Sequence, residues 1–401
     1  MQRFQPAPAD DGSRVRVMEV IARLNVGGPA TQVMGLYEGL DRDRFDHRLY
    51  TGGVGEGECD SLRLRDATLA VHDVPGLSRS VRPSDDLRAL VSLVAAVREF
   101  RPHVVYTRTT KAGVLGRIAA RVSGVRCARA HVFHGHLLHG YFTGAKRAVY
   151  VRTERRLAAL SHRLVTVGTA VRDDLLREGI GRPEQYTVIP PGVPARPCPD
   201  PAAARRDLGL PPGVPVVAYV GRLTGVKRPD RLAATAELVL RRLPECRFVV
   251  CGGGDLREDL ERRTARLGGS VRLLGWRQDV ETVYAAADVV LLTSDNEGTP
   301  LTLAEAGMAG RPVVSTRVGS VAEVVRDGET GLLAATDPAE LAAHTVRLLT
   351  DPALARRMGE AGRRWTTSAY GVDRLVADTE ALYLDLHRSL GAVPSGEPAT
   401  R

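Results

Sequence analysis

The chain has 401 residues, a length typical of about two to three domains. Hydrophobic residues make up 43% and charged residues 26%, as in globular chains with ample material for a core. No run approaches the ~18 consecutive apolar residues of a membrane span, and the five cysteines lack CxxC pairing. These features exclude secreted, fibrous, disordered and integral-membrane proteins. The first 13 residues hold no apolar signal segment, so we expect a cytoplasmic protein.

Positive charge is concentrated in the first half of the chain. Residues 1–190 hold 29 Lys and Arg against 20 Asp and Glu, whereas residues 191–401 hold 27 of each. Residues 100–172 contain fourteen basic residues and one acid, Glu154. Either arginine is simply abundant, or this segment meets an anionic partner such as a membrane face or a phosphorylated acceptor. We expect no nucleic-acid partner, because aromatic residues are 4% of the chain and do not interleave with the basic cluster.

Short apolar runs alternate with amphipathic segments along the chain. In the first half they predict strands over 15–22, 47–51, 103–107 and 164–167, and helices over 31–40, 85–100 and 113–123. In the second half they predict strands over 216–220, 247–251, 271–274, 289–292 and 312–315, and helices over 228–241, 255–267, 280–286, 301–309, 337–349 and 352–361. This alternation indicates an α/β protein with two Rossmann-like, doubly wound parallel-sheet domains that face each other across a cleft.

A proline-rich segment divides the two halves. Residues 190–215 hold nine of the 24 prolines, so we expect neither a helix interior nor a central strand there. The predicted organisation is a first domain over 1–190, a linker over 191–212 and a second domain over 213–371. A last helix over 372–390 is free to cross back onto the first domain, and a disordered tail is predicted over 391–401.

Ligands of open α/β sheets bind beyond the carboxyl ends of the strands, so the loops there are the candidate site. Residues 25–29 read NVGGP, and Gly27 and Gly28 either let backbone amides approach a phosphate or form only a tight turn. Residues 220–227 read VGRLTGVK. Arg222 and Lys227 of this loop suit a diphosphate leaving group, although a solvated loop is the alternative.

Two further loops follow strands of the second domain. Residues 251–255, CGGGD, allow a close backbone approach at Gly253 or merely make a turn. Residues 294–305, SDNEGTPLTLAE, form the sharpest motif. Thr299 is its predicted N-cap and Pro300 its first helical residue.

This motif places a carboxylate on each side of a helix N-terminus. Glu297 precedes the helix and Glu305 lies about one and a half turns inside it. The helix amides and dipole favour an anion between them. Two carboxylates beside such an anion site can each bind a pair of vicinal hydroxyls, which suits a sugar nucleotide.

Residues 131–139, HVFHGHLLH, contain four histidines after a strand. No acid lies nearby and the surroundings are basic, so the pattern favours a histidine that faces the cleft, or a core histidine, over a metal site. The single Asp-x-Asp match, Asp41 and Asp43, follows a helix among turn residues. We therefore predict that the reaction needs no metal and no other cofactor.

Together these motifs resemble the family 4 retaining glycosyltransferases of GT-B fold, over nearly the whole chain. The shared features are the Glu-x7-Glu signature, the loop from Arg222 to Lys227 and His134 of the first domain, all in the family's order. The resemblance implies that Arg222 and Lys227 bind the donor diphosphate and belong, with Glu297 and His134, to the catalytic residues.

The same resemblance implies the rest of the donor site. Glu297 and the amides after it hold the donor sugar, Glu305 the ribose, and the loop with Trp276 and Arg277 the nucleobase through backbone contacts. The implied donor-binding residues are Gly27, Gly28, Arg222, Lys227, Gly253, Trp276, Arg277, Glu297, Gly298, Thr299, Pro300, Leu301 and Glu305.

For the reaction, the resemblance implies retaining transfer of a hexose or N-acetylhexosamine, with a UDP-sugar favoured. Residues 109–117 and 131–142 are similar to the bacterial subgroup that builds exopolysaccharide, capsule or O-antigen. This implies a polyprenyl-diphosphate-linked acceptor and a peripheral position on the inner membrane face, through residues 100–172. The chain departs from the subgroup's usual His-Thr-His at 106–108, where it has Tyr-Thr-Arg, and from its Thr at Val132.

Other functions remain open at the level of sequence. A soluble or secondary-metabolite acceptor suits the same basic segment. Nucleotide-sugar 2-epimerases share the fold but lack the Arg, Lys and Glu-x7-Glu set in this order. A non-catalytic binding protein would be expected to have lost a donor residue, and every one of them is present here.

Overall fold

The structure, a computed structural model, describes residues 14–24, 28–53, 71–78, 80–135 and 144–391. Within these residues the strands form two parallel sheets, of seven and six strands. The strands of the first sheet are β1 Val15–Ile21, β2 Phe45–Thr51, β3 Val71–Asp73, β4 Val104–Arg108, β5 Ala128–Phe133, β6 Arg163–Thr166 and β7 Tyr186–Val188. Those of the second are β8 Val216–Val220, β9 Arg247–Cys251, β10 Val271–Gly275, β11 Val289–Leu292, β12 Val313–Thr316 and β13 Gly331–Ala334.

The strand orders are 3-2-1-4-5-6-7 and 10-9-8-11-12-13. In each sheet, successive strands are therefore added first on one side of the first strand and then on its other side, which makes a topological switch point there. The helices of the first half are α1 Gly28–Gly39, α2 Pro83–Phe100, α3 Thr110–Val122, α4 Gly144–Ala159 and α5 Thr169–Arg177. Those that follow are α6 Pro201–Asp207, α7 Pro229–Leu240, α8 Arg257–Thr264, α9 Val280–Ala286, α10 Leu301–Met308, α11 Val321–Val324, α12 Pro338–Thr350, α13 Pro352–Tyr370 and α14 Val372–Gly391. The predicted fold class, two doubly wound α/β domains, is confirmed.

Several elements were not predicted. The edge strand β3 has three residues and β7 three half-buried ones, so neither contains an apolar run. In α4 the buried stripe includes an acid, Glu154, whose carboxylate accepts a hydrogen bond from buried Arg117 at 2.8 Å. An ionic residue inside the stripe disguises the apolar period that identifies a helix.

The proline-rich segment is not irregular throughout. Residues 201–207 form α6, with Pro201 in its first turn, where a missing N–H breaks no helical hydrogen bond. The Asp200 carboxylate caps this helix by accepting from the Ala203 N–H at 2.9 Å. Leu208 and Leu210, which follow it, are buried in the core of the second domain. The expectation of a segment without a helix was therefore wrong, because the position of a proline matters more than the number of prolines.

The C-terminal helix α14 packs on the first domain. Leu375, Leu382 and Leu386 share a core with Val15 and Val17 of β1. The helix thus ties the two ends of the described chain together through buried apolar surface. The predicted tail lies outside the described residues, except for the backbone of residue 391. Gly27 and two histidines of the 131–139 cluster also lie outside them. Over the described ranges, no helix has both the length and the apolar character needed to cross a bilayer.

Candidate active site

Loops after three neighbouring strands of the second sheet join to form a floor. The Gly221 N–H donates to the Cys251 carbonyl at 2.9 Å, and the Gly252 N–H donates to the Gly275 carbonyl at 2.8 Å. The Leu223 N–H adds a bond to the Gly253 carbonyl, also at 2.9 Å. These bonds hold the ends of β8, β9 and β10 in one continuous surface at the carboxyl edge of the sheet.

This floor carries the predicted nucleobase loop. A methyl group at Gly253 would lie 2.8 Å from the Trp276 indole nitrogen, so the glycine makes room for that partly exposed ring. The Arg277 guanidinium contacts Asp279 at 2.6 Å and Asp207 at 2.9 Å, and these carboxylates raise the pKa of Arg277. Two acids therefore hold the Arg277 side chain, and the backbone contact with a nucleobase stays a prediction.

Lys227 and Glu297 meet at the centre of the site. The Lys227 ammonium donates to the Glu297 Oε1 atom at 2.5 Å, and the Ser294 hydroxyl donates to the same oxygen at 2.5 Å. The side chains of Lys227 and Glu297 are only 16% and 9% exposed. Arg222, in the same loop as Lys227, is exposed. Lys227 and Glu297 therefore meet where the sequence motifs predicted a diphosphate and a sugar, and Arg222 lies in the same loop.

Helix α10 begins at Leu301, as the apolar pattern predicted. Its N-cap residue is Pro300, and no side chain caps the helix. The Thr299 hydroxyl donates instead to the Val167 carbonyl of the first domain, at 2.7 Å. The predictions of Thr299 as N-cap and of Pro300 as first helical residue were wrong, because a contact with the other domain takes the hydroxyl. Glu305 remains inside the helix, as predicted.

The two domains touch around this motif. A methyl group on Gly298 would lie 2.8 Å from the His134 carbonyl oxygen, so only glycine fits between the domains there. A methyl group on Gly28, at the start of α1, would lie 3.3 Å from the Leu301 side chain. On the far side, the Glu323 carboxylate accepts from two backbone N–H groups at the start of α5, each at 2.9 Å. The structure thus brings the predicted His134 and Gly28 against the residues that follow Glu297.

Glu305 has a partner that the sequence did not reveal. The Tyr284 hydroxyl, on α9, donates to the Glu305 Oε2 atom at 2.7 Å. Burial raises the pKa of Tyr284 well above its usual value, and the Glu305 charge raises it further. The hydroxyl therefore keeps its proton and orients the carboxylate. The only sequence signal for this role is a tyrosine in a predicted helix.

We expect Tyr284→Phe to raise the KM for the nucleotide-sugar donor by about tenfold, with little change in kcat. A hydrogen bond to a charged group contributes about 1.5–3 kcal/mol. We expect the Glu305 carboxylate to recover part of this free energy by rearranging, so the net loss is smaller. Initial rates over a donor series measure both constants. Tyr186→Phe, which removes a hydroxyl bond to the Ile180 carbonyl in the first domain, is the matched control. Equal KM values in the two variants would contradict the role.

The loop after β12 packs against the backbone of Glu297. Gly319 has a φ of +50°, and a methyl group there would lie 1.9 Å from the Glu297 carbonyl oxygen. The next residue, Ser320, donates its N–H to that oxygen at 3.2 Å. The position of Glu297 therefore depends on a glycine in another loop.

We expect Gly319→Ala to lower kcat by about tenfold or more, because the new methyl group displaces the Glu297 backbone. Gly328→Ala is a matched control, since Gly328 also has a positive φ, +77°, with nothing within 4 Å of the added carbon. Both variants should lose about 1–2 kcal/mol of unfolding free energy from backbone strain, and Gly319→Ala should lose more because its methyl group also clashes with the Glu297 carbonyl. Thermal melts and steady-state rates test this, and an equal kcat in the two variants would contradict the steric argument.

His134 lies at the end of β5 beside a buried arginine. Arg108 Nη1 is 3.2 Å from the His134 Nε2 atom, and the Arg108 Nε donates to Glu19. Burial lowers the pKa of His134 well below its usual range, and the Arg108 charge lowers it further. His131 lies in β5 rather than after it, and its Nδ1 contacts the Thr107 hydroxyl at 2.9 Å, so it is a core histidine. Sequence reasoning missed the roles of Glu19 and Arg108, although position 108 departs from the subgroup pattern.

Comparisons with known proteins agree with this fold and identify its family. Residues 27–192 match the model of the glycosyl transferase 4-like domain, and residues 214–351 that of glycosyl transferases group 1. An Escherichia coli UDP-Gal:alpha-D-GlcNAc-diphosphoundecaprenol alpha-1,3-galactosyltransferase is 27% identical, over 93% of this chain and 98% of that protein. A Streptomyces coelicolor D-inositol 3-phosphate glycosyltransferase is 31% identical, over 90% of this chain and 87% of that protein.

Solved structures show the same architecture. The crystal structure of Anabaena HepE in complex with UDP and glucose superposes with a TM-score of 0.80 at 20% identity, covering 93% of this chain and all of that one. The fold, the family models and the named relatives therefore define a glycosyl-transferring enzyme. The chain belongs to the family 4 glycosyltransferases of GT-B fold, which use nucleotide-sugar donors.

Proposed function

We propose that the protein transfers a hexose or N-acetylhexosamine from a UDP-sugar to a hydroxyl of a polyprenyl-diphosphate-linked saccharide, with retention and without a metal ion. The observation that carries this proposal is the convergence of Lys227 and Glu297, with Arg222 in the same loop. They lie opposite His134, while Glu305 follows on α10. Cations suit a diphosphate, and carboxylates suit sugar and ribose hydroxyls.

The proposed chemistry needs no protein nucleophile. The acceptor oxygen bonds to the anomeric carbon on the face from which the diphosphate departs, and the bond from that carbon to the donor phosphate oxygen breaks. The departing phosphate oxygen takes the acceptor proton. Lys227 and Arg222 neutralise the charge that grows on the diphosphate, which is the role a metal ion has in other transferases. In support, Asp41 and Asp43 of the Asp-x-Asp lie in an exposed turn, where the Asp43 N–H donates to the Asp41 carboxylate at 2.9 Å.

The acceptor assignment draws on two supports. The E. coli relative is named for a diphosphoundecaprenol-linked acceptor. Helix α4 also presents an exposed face with Lys146, Arg152 and Arg156 around Val149, which is 66% exposed. Such a face fits an anionic membrane surface. Not every basic residue of the segment belongs to this face, however, because Arg108 and Arg117 are buried in ion pairs and add no charge to the surface.

We expect binding to liposomes that contain an anionic lipid to weaken as salt rises, because exposed charges are screened within about 10 Å at 0.1 M. The triple variant K146Q/R152Q/R156Q should bind at least tenfold less, given roughly 1 kcal/mol for each basic residue. Vesicle co-sedimentation measures the effect. The control R242Q/R356Q/R357Q removes the same charge from exposed positions of the second domain. Equal binding to neutral vesicles, or equal loss in both variants, would contradict the membrane surface.

A soluble phosphorylated acceptor is the second candidate. It is favoured by the S. coelicolor relative, which is named for D-inositol 3-phosphate. The same basic first domain suits a free phosphate as well as a lipid diphosphate.

The deciding experiment begins with thermal shift and hydrolysis against UDP-, GDP-, ADP- and dTDP-sugars. Transfer is then measured to polyprenyl-diphosphate-linked GlcNAc and to inositol 3-phosphate, with and without EDTA. We expect stabilisation by UDP-sugars, transfer to the lipid-linked acceptor that survives EDTA, and an axial anomeric configuration preserved in the proton NMR spectrum. Transfer only to inositol 3-phosphate would favour the second candidate. Inversion, or loss of activity in EDTA, would overturn the mechanism.

A further inference from the structure

We propose that the buried Glu19–Arg108 pair is a positioning device that holds His134 as a neutral imidazole with its proton on Nδ1. His134 would then act in the cleft as a hydrogen-bond donor and not as a cation. The proposal rests on the proposed function for its kinetic consequence only, because the protonation state of His134 can be measured without turnover.

The pair is built into the centre of the first sheet. Glu19 of β1 and Arg108 at the end of β4 lie on neighbouring strands, and their side chains are 0% and 1% exposed. The second carboxylate oxygen of Glu19 contacts His47 at 2.7 Å. Burial opposes the ionised form, yet the Arg108 charge and the bonds from His47 and Arg108 lower the pKa of Glu19 to about 2. A buried charge is stable only when it is paired with an opposite charge, so the bond to Glu19 holds the Arg108 side chain in one place.

The tautomer follows from the contact between Arg108 and His134. A guanidinium has donors and no acceptor, so the Nε2 atom 3.2 Å from Arg108 Nη1 must accept. An accepting Nε2 carries no proton, and a neutral imidazole then has its proton on Nδ1. Protonation of Nε2 would set two donors against each other beside a permanent charge.

The other groups around His134 agree with this assignment. The charged or titratable groups that act on it are Arg108 from β4, Glu19 from β1 and His131 from β5, the strand that His134 follows. From the second domain, the neighbour is the backbone of Gly298. Only Glu19 favours the imidazolium form, and its charge is compensated by the direct bond to Arg108.

The Nδ1 atom is left for a ligand. It is out of contact with solvent, and no group in the described part of the chain accepts its hydrogen. Unsatisfied buried donors are costly, so an acceptor from a bound molecule fits there. The His134 backbone lies against Gly298, which follows Glu297, the residue proposed to hold the donor sugar. A hydroxyl of that sugar can accept a hydrogen bond from Nδ1. A neutral donor also avoids placing a cation beside the positive charge that develops on a sugar ring during transfer.

Nitrogen-15 NMR of the histidine rings tests the tautomer directly. His134 is assigned by the signal lost in His134→Asn. In the wild-type protein we expect a neutral Nδ1–H ring that does not titrate between pH 5.5 and 8. In E19Q/R108Q, which leaves no lone buried charge, we expect the pKa of His134 to rise toward the ordinary histidine value of about 6.5 without reaching it, because burial still opposes the charged ring. A wild-type His134 that is protonated at pH 6, or that has its proton on Nε2, would overturn the proposal without any variant.

The kinetic test uses a matched pair of double variants. R117Q/E154Q removes the other buried ion pair of the first domain, whose residues are 0% and 1% exposed. Both variants should melt at lower temperature. Only E19Q/R108Q should gain an acidic limb in its pH profile, with kcat falling about threefold between pH 8 and 5.5. In the His134→Asn background, E19Q/R108Q should cost no further kcat.

The outcomes separate the two proposals. Identical pH profiles for the two double variants, or full additivity with His134→Asn, would show that the pair is only structural. If E19Q/R108Q fails to fold, the wild-type NMR result still decides the matter. If no nucleotide sugar is turned over, the proposed function fails while the tautomer measurement stands.

Discussion

Glu297→Gln is expected to lower kcat for sugar transfer by on the order of 10²-fold or more while the protein stays folded. Glutamine keeps the shape of the side chain but removes the charge that Lys227 and Ser294 bind at 2.5 Å. The amide oxygen can still accept from both donors, but it carries no full negative charge to pair with the Lys227 ammonium. The NH2 group that replaces Oε2 cannot accept a hydrogen bond from a sugar hydroxyl.

Steady-state rates with the donor found in the screen, together with a thermal melt, measure this effect. Glu329→Gln is the control, because Glu329 is exposed in a turn beside Arg326. We expect that control to keep wild-type rates. Wild-type turnover in Glu297→Gln would remove Glu297 from the catalytic residues.

Lys227→Met should lower kcat/KM by about 10²–10³-fold, because a preorganised charge at the leaving group would be lost. Lysine and methionine are similar in length, so the apolar stem still fills the loop. The chain has three lysines, and Lys146→Met on the exposed face of α4 is the control. We expect no change in soluble-donor hydrolysis for that control.

The two substitutions should not add. Lys227 and Glu297 share one short ion pair, so the double variant K227M/E297Q should be less than tenfold worse than the poorer single variant. Losses that multiply fully would indicate separate roles. If Lys227→Met raised KM and left kcat unchanged, Lys227 would bind the donor equally well in the ground state and the transition state.

The strands with buried faces could be predicted almost to the residue. β8, β9 and β11 have the predicted bounds. A parallel strand covered on both faces consists of an uninterrupted apolar run, and such a run is visible without any tertiary information. The edge strand β3 and helix α4 were not predicted, because one lies partly in solvent and the other buries Glu154.

Within the candidate site, the loops that carry the residues could be predicted better than the partners of their side chains. The loops with Arg222, Lys227 and Glu297 do follow strands. The orientation of Thr299 could not be predicted, because its hydroxyl donates to a carbonyl 132 positions away in the other domain. Arg108 belonged to a segment interpreted as a basic surface, yet it is buried against Glu19, 89 positions away.

By itself, the sequence determined the two-domain α/β fold and the strand ends at which the site lies, because apolar periodicity and glycine, proline and charge placement act over a few residues. Only the tertiary structure decided the partners: Lys227 with Glu297, Tyr284 with Glu305, and Arg108 with His134. Partner choice depends on strand order and on how the two domains meet, and no local pattern encodes either.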